Sequence, residues 1–302
     1  MALKGELTKL KITVLAEDSV PYESSYLGQH GVSFLLTADR EGVQKNILID
    51  VAQNSAALLE NMQLMDISPS SIDAVVLTHC HYDHTQGLAK ILRKIDKKDV
   101  PVIAHPDIFR LNFIKDPYLR HVGVMDGDRQ VNIEDAGGTL YLTKDPFEIM
   151  PGLFTTGEVE RKTDFEEVGI NLLTIENGRV KPDPMRDDIS LIANVKEKGL
   201  VIITGCSHAG IVNIAKQAIQ LAPTDKIHGV IGGFHLIEAV GAVEKRKAAN
   251  HENVLNGKCK NSNRKCGRSK KKAVNAGENW PAKWARWQRI WWPQVFQRFC
   301  VF

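Results

Sequence analysis

Short runs rich in Val, Ile and Leu, many of them bounded by Gly, Asp or Pro, recur through the first 240 residues. Runs of this length and composition are typical of β-strands that are largely buried. The segments that predict strands are 11–17, 32–38, 46–51, 74–79, 100–105, 139–143, 170–176, 189–195, 200–205 and 228–234.

Between some of these runs the apolar positions change to helical spacing. Segments 54–65, 87–98 and 210–222 place apolar residues at steps of three and four, which predicts helices with one buried face. Two series of strands with interspersed helices predict an α/β protein whose sheets pack face to face beneath helices.

The composition changes abruptly near residue 240. Residues 1–240 carry 24 Lys and Arg against 33 Asp and Glu, whereas residues 241–302 carry 15 against 3. All five tryptophans and three of the five cysteines also lie in the second segment. We therefore predict a folded domain over residues 1–240 and a separate basic, Trp-rich tail over residues 241–302.

Hydropathy and cysteine content narrow the class of protein. No run of about 18 apolar residues is present, which argues against a membrane span, and the N-terminal stretch has no apolar core typical of a secretory signal. Five cysteines, an odd number, favour free thiols over a disulfide framework. We therefore expect a cytoplasmic protein.

The segment VVLTHCHYDHTQGL, residues 75–88, concentrates ligand-type side chains where a strand pattern gives way to a helix pattern. His79 and His81 are two residues apart in extended chain and point the same way, so both can bind one metal ion. Asp83 and His84 lie past the bend and can turn toward a second ion. Imidazole and carboxylate suit zinc, iron or manganese. A polar loop with surface histidines is the alternative, but it does not explain four such residues at this spacing.

Two distant stretches offer further ligands. TGCSHAGIVN, residues 204–213, follows a strand pattern and opens a helix, and it contains Cys206 and His208. VIGGFHL, residues 230–236, ends another strand and contains His235. The simpler alternatives are a small core residue for Cys206 and a polar helix-start group for His208. We predict His208 and His235 as ligands and retain Cys206 as a candidate.

Together these motifs resemble the metallo-β-lactamase superfamily, whose fold is an αββα sandwich with a metal site at one edge of its two sheets. Within it the chain is most similar to the branch of 7,8-dihydropterin-6-methyl-4-(β-D-ribofuranosyl)-aminobenzene-5′-phosphate synthases and related metal-dependent hydrolases. The segments that carry the similarity, from about residue 9 to residue 237, are HGVSFLL, ILIDVAQNS, THCHYDHTQGL, PGLFTTGEV, DDISLIANV, TGCSHAGIVN and IGGFHL. The resemblance implies an αββα sandwich, here with an atypical C-terminal tail.

The resemblance also implies a ligand set for two divalent metal ions, with zinc favoured and iron or manganese as alternatives. His79 and His81 would bind one ion, Asp83 and His84 the other, and His235 would be the superfamily's final histidine ligand.

The resemblance also implies catalytic roles for Asp83 and His208. The superfamily's bridging aspartate falls near TGCSH, where this chain has none, so Cys206, His208 or a water would substitute. Asp50 matches a strand-end aspartate that supports a ligating histidine. Ala52 stands where the superfamily usually has Gly.

Three further side chains are candidates for contact with the site or its substrate. His105 ends the predicted strand 100–105, Arg161 is a candidate phosphate partner, and Asp188 precedes a strand at the predicted sheet edge. For each, the alternative is a residue of a turn or a solvated loop.

The tail lacks the further helix and final strand motif of the branch. Its basic residues and tryptophans suit a nucleic-acid-binding arm, but a disordered basic tail and a shifted reading frame are alternatives. We favour the shifted reading frame because it explains the change of composition and the missing motif together. We therefore expect neither a nucleic-acid nor a membrane partner.

Several functions are compatible with the motifs. In the synthase interpretation, which the resemblance favours, the metals bind the diphosphate of an activated pterin while an aryl nucleophile attacks the methylene carbon. In the hydrolase interpretation, they activate water against a phosphoester, lactone or thioester. Both imply a small-molecule substrate, phosphorylated in the first case. A metal-containing binding or redox protein without hydrolytic turnover is the alternative of another class.

Overall fold

Two β-sheets packed face to face form the centre of the protein, whose computed structural model describes residues 4–235 except 167, 169 and 170. The predicted tail, residues 241–302, and the predicted domain boundary at 240 lie outside the described residues. Both therefore stay predictions.

The first sheet has six strands. In spatial order they are β1 (Lys9–Ala16), β2 (Ser33–Arg40), β3 (Val43–Ile49), β4 (Ala74–Val76), β5 (Val100–Ala104) and β8 (Gly138–Leu142). β1, β2 and β3 pair antiparallel, whereas β3, β4, β5 and β8 are parallel to one another. The chain segments that follow β3, β4 and β5 therefore meet at one edge of this sheet.

The second sheet has five strands. In spatial order they are β15 (Ile227–Ile231), β14 (Gly199–Thr204), β13 (Ser190–Val195), β10 (Leu153–Thr155) and β9 (Glu148–Met150). β14 and β15 are parallel, and the other pairs are antiparallel. A smaller sheet contains β12 (Arg179–Pro182), β11 (Leu172–Glu176), β6 (Asn112–Ile114) and β7 (Arg120–His121).

Five α-helices are described, and all except the short second one cover the outer faces of the two large sheets. They are α1 (Ser55–Leu64), α2 (Tyr82–Thr85), α3 (Leu88–Ile95), α4 (Gln130–Asp135) and α5 (Ile211–Leu221). α1 begins at Asn54, whose side-chain oxygen accepts a hydrogen bond from the backbone N–H of Ala56 at 3.0 Å. Among the described residues, no helix combines the length and the apolar character needed to cross a membrane.

Alternation along the strands builds the layers. Ile47 and Ile49 of β3 pack between the sheets, while Leu48 packs under the first helical layer. Ile203 of β14 likewise faces the inter-sheet core, and Ile202 faces α5. Successive strand residues point to opposite faces, so each sheet packs against the other sheet on one face and against helices on the other. The predicted αββα sandwich is confirmed.

The strands and helices predicted from the sequence are all present, with ends shifted by at most three residues. β6, β7, β9, β10 and β12 were not predicted because each has only two to four residues, too few to show a period. The predicted loop after β4 also contains one short helix, α2.

Candidate metal centre

The segment after β4 carries four buried ligand-type side chains to the sheet edge. His79 and His81 leave the strand in extended chain, and α2 then turns Asp83 and His84 toward the same place. This local geometry follows from a strand ending at the edge of the sheet and continuing at once into a helical turn.

The segments after β14 and β15 supply the remaining candidates. Cys206 and His208 follow β14 and are buried, and His235 follows β15. Ser207 joins the two segments because its hydroxyl donates to the backbone oxygen of Gly233 at 2.8 Å. Since β14 and β15 are parallel neighbours, their carboxyl ends deliver all three candidate ligands to one place.

These side chains form three overlapping groups whose ligand atoms lie within 4.8 Å of one another. The groups are His79, His81 and His208; His79, His84 and Cys206; and Cys206, His208 and His235. The first and second groups share His79, the second and third share Cys206, and the first and third share His208. The structure brings together every ligand predicted from the sequence. Asp83 is not a member of the three groups, but its Oδ2 lies 3.3 Å from His84 Nε2.

The geometry fits bound metal ions. His79 Nε2 and His81 Nδ1 are 3.1 Å apart, close to the roughly 3.3 Å expected between two nitrogens on one tetrahedral ion. Within the described part of the chain, neither ring nitrogen of His208 has a hydrogen-bond partner, although both are buried. Leaving such groups unsatisfied costs about 1–3 kcal/mol each. A bound metal ion would give one of these two His208 nitrogens a partner.

Asp50 and Thr78 fix which nitrogen each histidine offers. The Thr78 hydroxyl donates to Asp50 Oδ2 at 2.7 Å, so it must accept at 3.1 Å from the Nδ1–H of His79. Asp50 Oδ2 also accepts from the Nδ1–H of His84 at 2.7 Å. His79 therefore presents an unprotonated Nε2 to the centre. Burial disfavours the charge of His84, but Cys206, Asp83 and Asp50 together raise its pKa well above the usual value, so its Nε2, which also faces the centre, would release a proton on binding a metal ion. Asp50 is fully buried, as its predicted supporting role requires.

The electrostatics favour the metal-binding forms of four candidate ligands, His79, His81, Cys206 and His208. Burial holds the pKa of His79 and of His208 well below the usual value and lowers the pKa of His81 to about 4, so these imidazoles are neutral. Burial opposes ionisation of Cys206, but the charge of His84 and then that of His235 lower the pKa of the thiol below its usual value. A neutral imidazole and a thiolate are the forms that ligate metals.

Two neighbouring aspartates support the loops that carry the candidate ligands. Asp187 Oδ2 accepts from the backbone N–H of Cys80 at 2.7 Å, and its other oxygen lies 2.7 Å from Arg110 Nη1. Asp188 Oδ2 accepts from the backbone N–H of Ala209 at 2.6 Å. Both carboxylates are fully buried, and each anchors the residue beside a candidate ligand.

Two other predicted residues lie outside the ligand groups. His105 is buried, accepts from the backbone N–H of Asp107 through Nδ1, and contacts Glu158 Oε2 through Nε2 at 3.2 Å. Arg161 donates to the backbone oxygens of His208 at 2.6 Å and Pro184 at 2.7 Å. The guanidinium of this candidate phosphate partner thus links two loops.

The sequence analysis did not single out His30 or Thr78. His30 Nε2 lies 3.4 Å from Asp83 Oδ2. The available signal for His30 was its place at the head of HGVSFLL, one of the segments that carry the family resemblance. Thr78 likewise stands at the head of THCHYDHTQGL, but its role depends on a contact with Asp50, which is distant in the sequence.

The backbone conformation explains why the superfamily usually has Gly at the position of Ala52. Ala52 is buried with a φ of 54°, in the left-handed region that glycine adopts most readily. The glycine usual in the superfamily fits this conformation without strain, and alanine adopts it here.

Comparison with known proteins places these features in a family. The sequence profile of the Metallo-beta-lactamase superfamily matches residues 29–175. A 7,8-dihydropterin-6-methyl-4-(β-D-ribofuranosyl)-aminobenzene-5′-phosphate synthase from Methanocaldococcus jannaschii is 41% identical over 263 residues, covering 84% of this chain and 89% of that protein. An uncharacterized protein from the same organism is 33% identical over 220 residues, covering 73% of this chain and 77% of that protein.

A solved structure shares the fold. It is a metal-dependent hydrolase of the beta-lactamase superfamily, with a TM-score of 0.64 and 24% sequence identity, covering 82% of this chain and 84% of that chain. This similarity supports the sandwich architecture described above.

Proposed function

Because the chain belongs to the metallo-β-lactamase superfamily, we propose that it is a binuclear metal enzyme with the activity of a 7,8-dihydropterin-6-methyl-4-(β-D-ribofuranosyl)-aminobenzene-5′-phosphate synthase. The observation that carries the metal part of the proposal is the set of three overlapping ligand groups. His79, Cys206 and His208 each belong to two of these groups. The activity rests on the relative that is 41% identical over 89% of its length.

The candidate ligands divide into two sets. His79, His81 and His208 would hold one ion. The other would be held by Asp83, His84, Cys206 and His235, with Cys206 in the place of the superfamily's bridging aspartate. Imidazole, carboxylate and thiolate together suit zinc, with iron or manganese as alternatives. Bound divalent ions would neutralise the charge of a departing diphosphate.

The chain's own residues orient the ligands and limit access of water. Asp50 and Thr78 hold the Nδ1 protons of His84 and His79, so that both Nε2 atoms face the centre. Asp187 and Asp188 fix the backbone beside the ligand loops. Because His79, His84 and His208 are almost fully buried, we expect a substrate to approach from the side of His235, which is only partly buried.

In the proposed reaction a small, phosphorylated aminobenzene riboside supplies the nucleophile and a dihydropterin carries the leaving diphosphate on its methylene group. The bond from the methylene carbon to the nucleophile forms as the bond from that carbon to the diphosphate oxygen breaks, and the nucleophile releases one proton to solvent. Free buried thiols at Cys80 and Cys206 fit a reducing compartment, and we place the enzyme in the cytoplasm.

The test is to incubate the metal-loaded protein with both substrates and to measure the coupled product and released diphosphate. We expect the two in equal amounts, and loss of both after chelation or in His208→Ala. His228→Ala, which changes an exposed histidine of β15, is the matched control and should retain activity.

The same protein should be assayed against phosphodiester, lactone and thioester substrates. Efficient hydrolysis of any of these substrates, without formation of the coupled product, would show that the protein is a metal-dependent hydrolase and not a synthase. Bound metal without turnover in either assay would indicate a metal-containing binding or redox protein.

A further inference from the structure

His30 joins two carboxylates at the edge of the candidate metal centre. Its Nε2 lies 3.4 Å from Asp83 Oδ2, and its Nδ1 lies 3.4 Å from Asp18 Oδ1. The His30 side chain is 49% exposed, whereas that of Asp83 is only 8% exposed. The imidazole therefore spans from solvent to a candidate ligand.

The backbone around His30 is held firmly against the metal-site loop. Gly31 has a φ of 85°, and a Cβ added there would lie 1.7 Å from the backbone oxygen of Asp83. On the other side, the backbone N–H of Gln29 donates to Glu17 at 2.9 Å, and its side-chain oxygen accepts from Asn54 at 2.7 Å. Contact between His30 and Asp83 thus follows from close backbone packing.

Asp83 is a candidate ligand whose orientation such a partner can set. A carboxylate rotates about a broad torsion, and its Oδ2 lies between two imidazoles, His84 at 3.3 Å and His30 at 3.4 Å. His84 is itself a candidate ligand of the same ion as Asp83, so its contact with Asp83 does not fix that carboxylate against the surrounding protein. His30 contacts Asp83 from outside the ligand set, and Asp18 holds the far side of the ring.

We propose that His30, held by Asp18, is a positioning residue that orients the Asp83 carboxylate toward the metal ion bound by Asp83 and His84. This role rests on the two-metal function proposed above. An exposed ion pair would contribute little, but this contact ends on a buried carboxylate. Outer contacts of this kind typically change metal affinity by 10- to 100-fold when removed.

The experiment titrates metal-free protein with Co(II) and follows the visible spectrum and the bound stoichiometry. In His30→Ala we expect one of the two equivalents to bind about 10-fold more weakly or worse, with a changed spectrum for that equivalent alone. His30→Gln, whose amide N–H can reach Asp83, should recover part of the affinity. Asp18→Asn should shift the same equivalent by less. His228→Ala is the matched control.

The possible results separate the two proposals. Wild-type protein that binds fewer than two Co(II) ions would contradict the two-metal function itself. Two ions in the wild type, with unchanged affinities and spectrum in His30→Ala, would overturn the positioning role alone. Equal weakening of both equivalents would also overturn it, because a general structural defect affects the binding of both ions. If His30→Ala does not fold, the same criteria apply to Asp18→Asn.

Discussion

Asp50 Oδ2 accepts a hydrogen bond from the Nδ1–H of His84 at 2.7 Å, although the two residues are 34 positions apart in the sequence. The same oxygen accepts from the Thr78 hydroxyl, and Oδ1 accepts from the Thr78 backbone N–H at 2.8 Å. One buried carboxylate thereby sets the tautomers of two candidate ligands, His79 through Thr78 and His84 directly.

Asp50→Asn should therefore weaken metal binding without removing any ligand. An amide brings an N–H into a position where three donors converge, so at least one of them loses its acceptor. We expect a 10- to 100-fold loss of metal affinity, measured by competition with a chromophoric chelator. Asp126→Asn changes a fully exposed carboxylate and should bind metal like the wild type.

His81→Ala should lower the metal content and the activity together. The substitution removes one of the two nitrogens that lie 3.1 Å apart in the first ligand group. We expect about one ion fewer per chain by elemental analysis, with a parallel loss of coupled product. Retention of the full metal content would contradict the assignment of His81 as a ligand.

Gly205→Ala should disturb the centre through Asp50. A Cβ at this position would lie 2.1 Å from Thr78 Oγ1 and 3.2 Å from Asp50 Oδ2, so the Thr78–Asp50 pair must move. We expect reduced metal affinity and a lower unfolding temperature. Gly127→Ala is the matched control, because a Cβ there meets nothing within 4 Å. Equal metal affinity in the two variants would show that the Thr78–Asp50 contact is dispensable.

Asp188→Asn should change the pH dependence of stability in the metal-free protein. Burial raises the pKa of the Asp188 carboxyl from 3.8 to about 7, against the opposing effect of the hydrogen bond from Ala209. The folded state then holds a proton that the unfolded state has lost, so this group reduces stability as pH rises from about 4 to 7.

An amide at this position does not titrate and still accepts from Ala209. Between pH 5 and pH 8 the wild type should lose about 3 kcal/mol of unfolding free energy relative to Asp188→Asn. Urea unfolding of chelated protein at both pH values measures the difference. Parallel curves for the two proteins would mean that Asp188 is ionised throughout.

Local patterns in the sequence determined the layers of the fold and most of the candidate ligands. Alternation in segments such as 46–51 and helical spacing in segments such as 87–98 depend only on neighbouring residues, and the strands and helices they predict are present. The H-x-H-x-D-H spacing fixes His79 and His81 on one side of an extended segment before any folding is known.

The tertiary structure alone decided how distant residues share the site. Cys206 lies 3.1 Å from His84 Nε2, and Asp50 holds His84, because the parallel strands β3 and β4 and the parallel pair β14 and β15 bring their carboxyl ends to one place. Arg161 was a candidate phosphate partner in the sequence, and only the fold shows that its guanidinium donates to the backbone oxygens of His208 and Pro184. Contacts of this kind depend on strand pairing and burial over tens of residues, which composition and spacing along one chain do not encode.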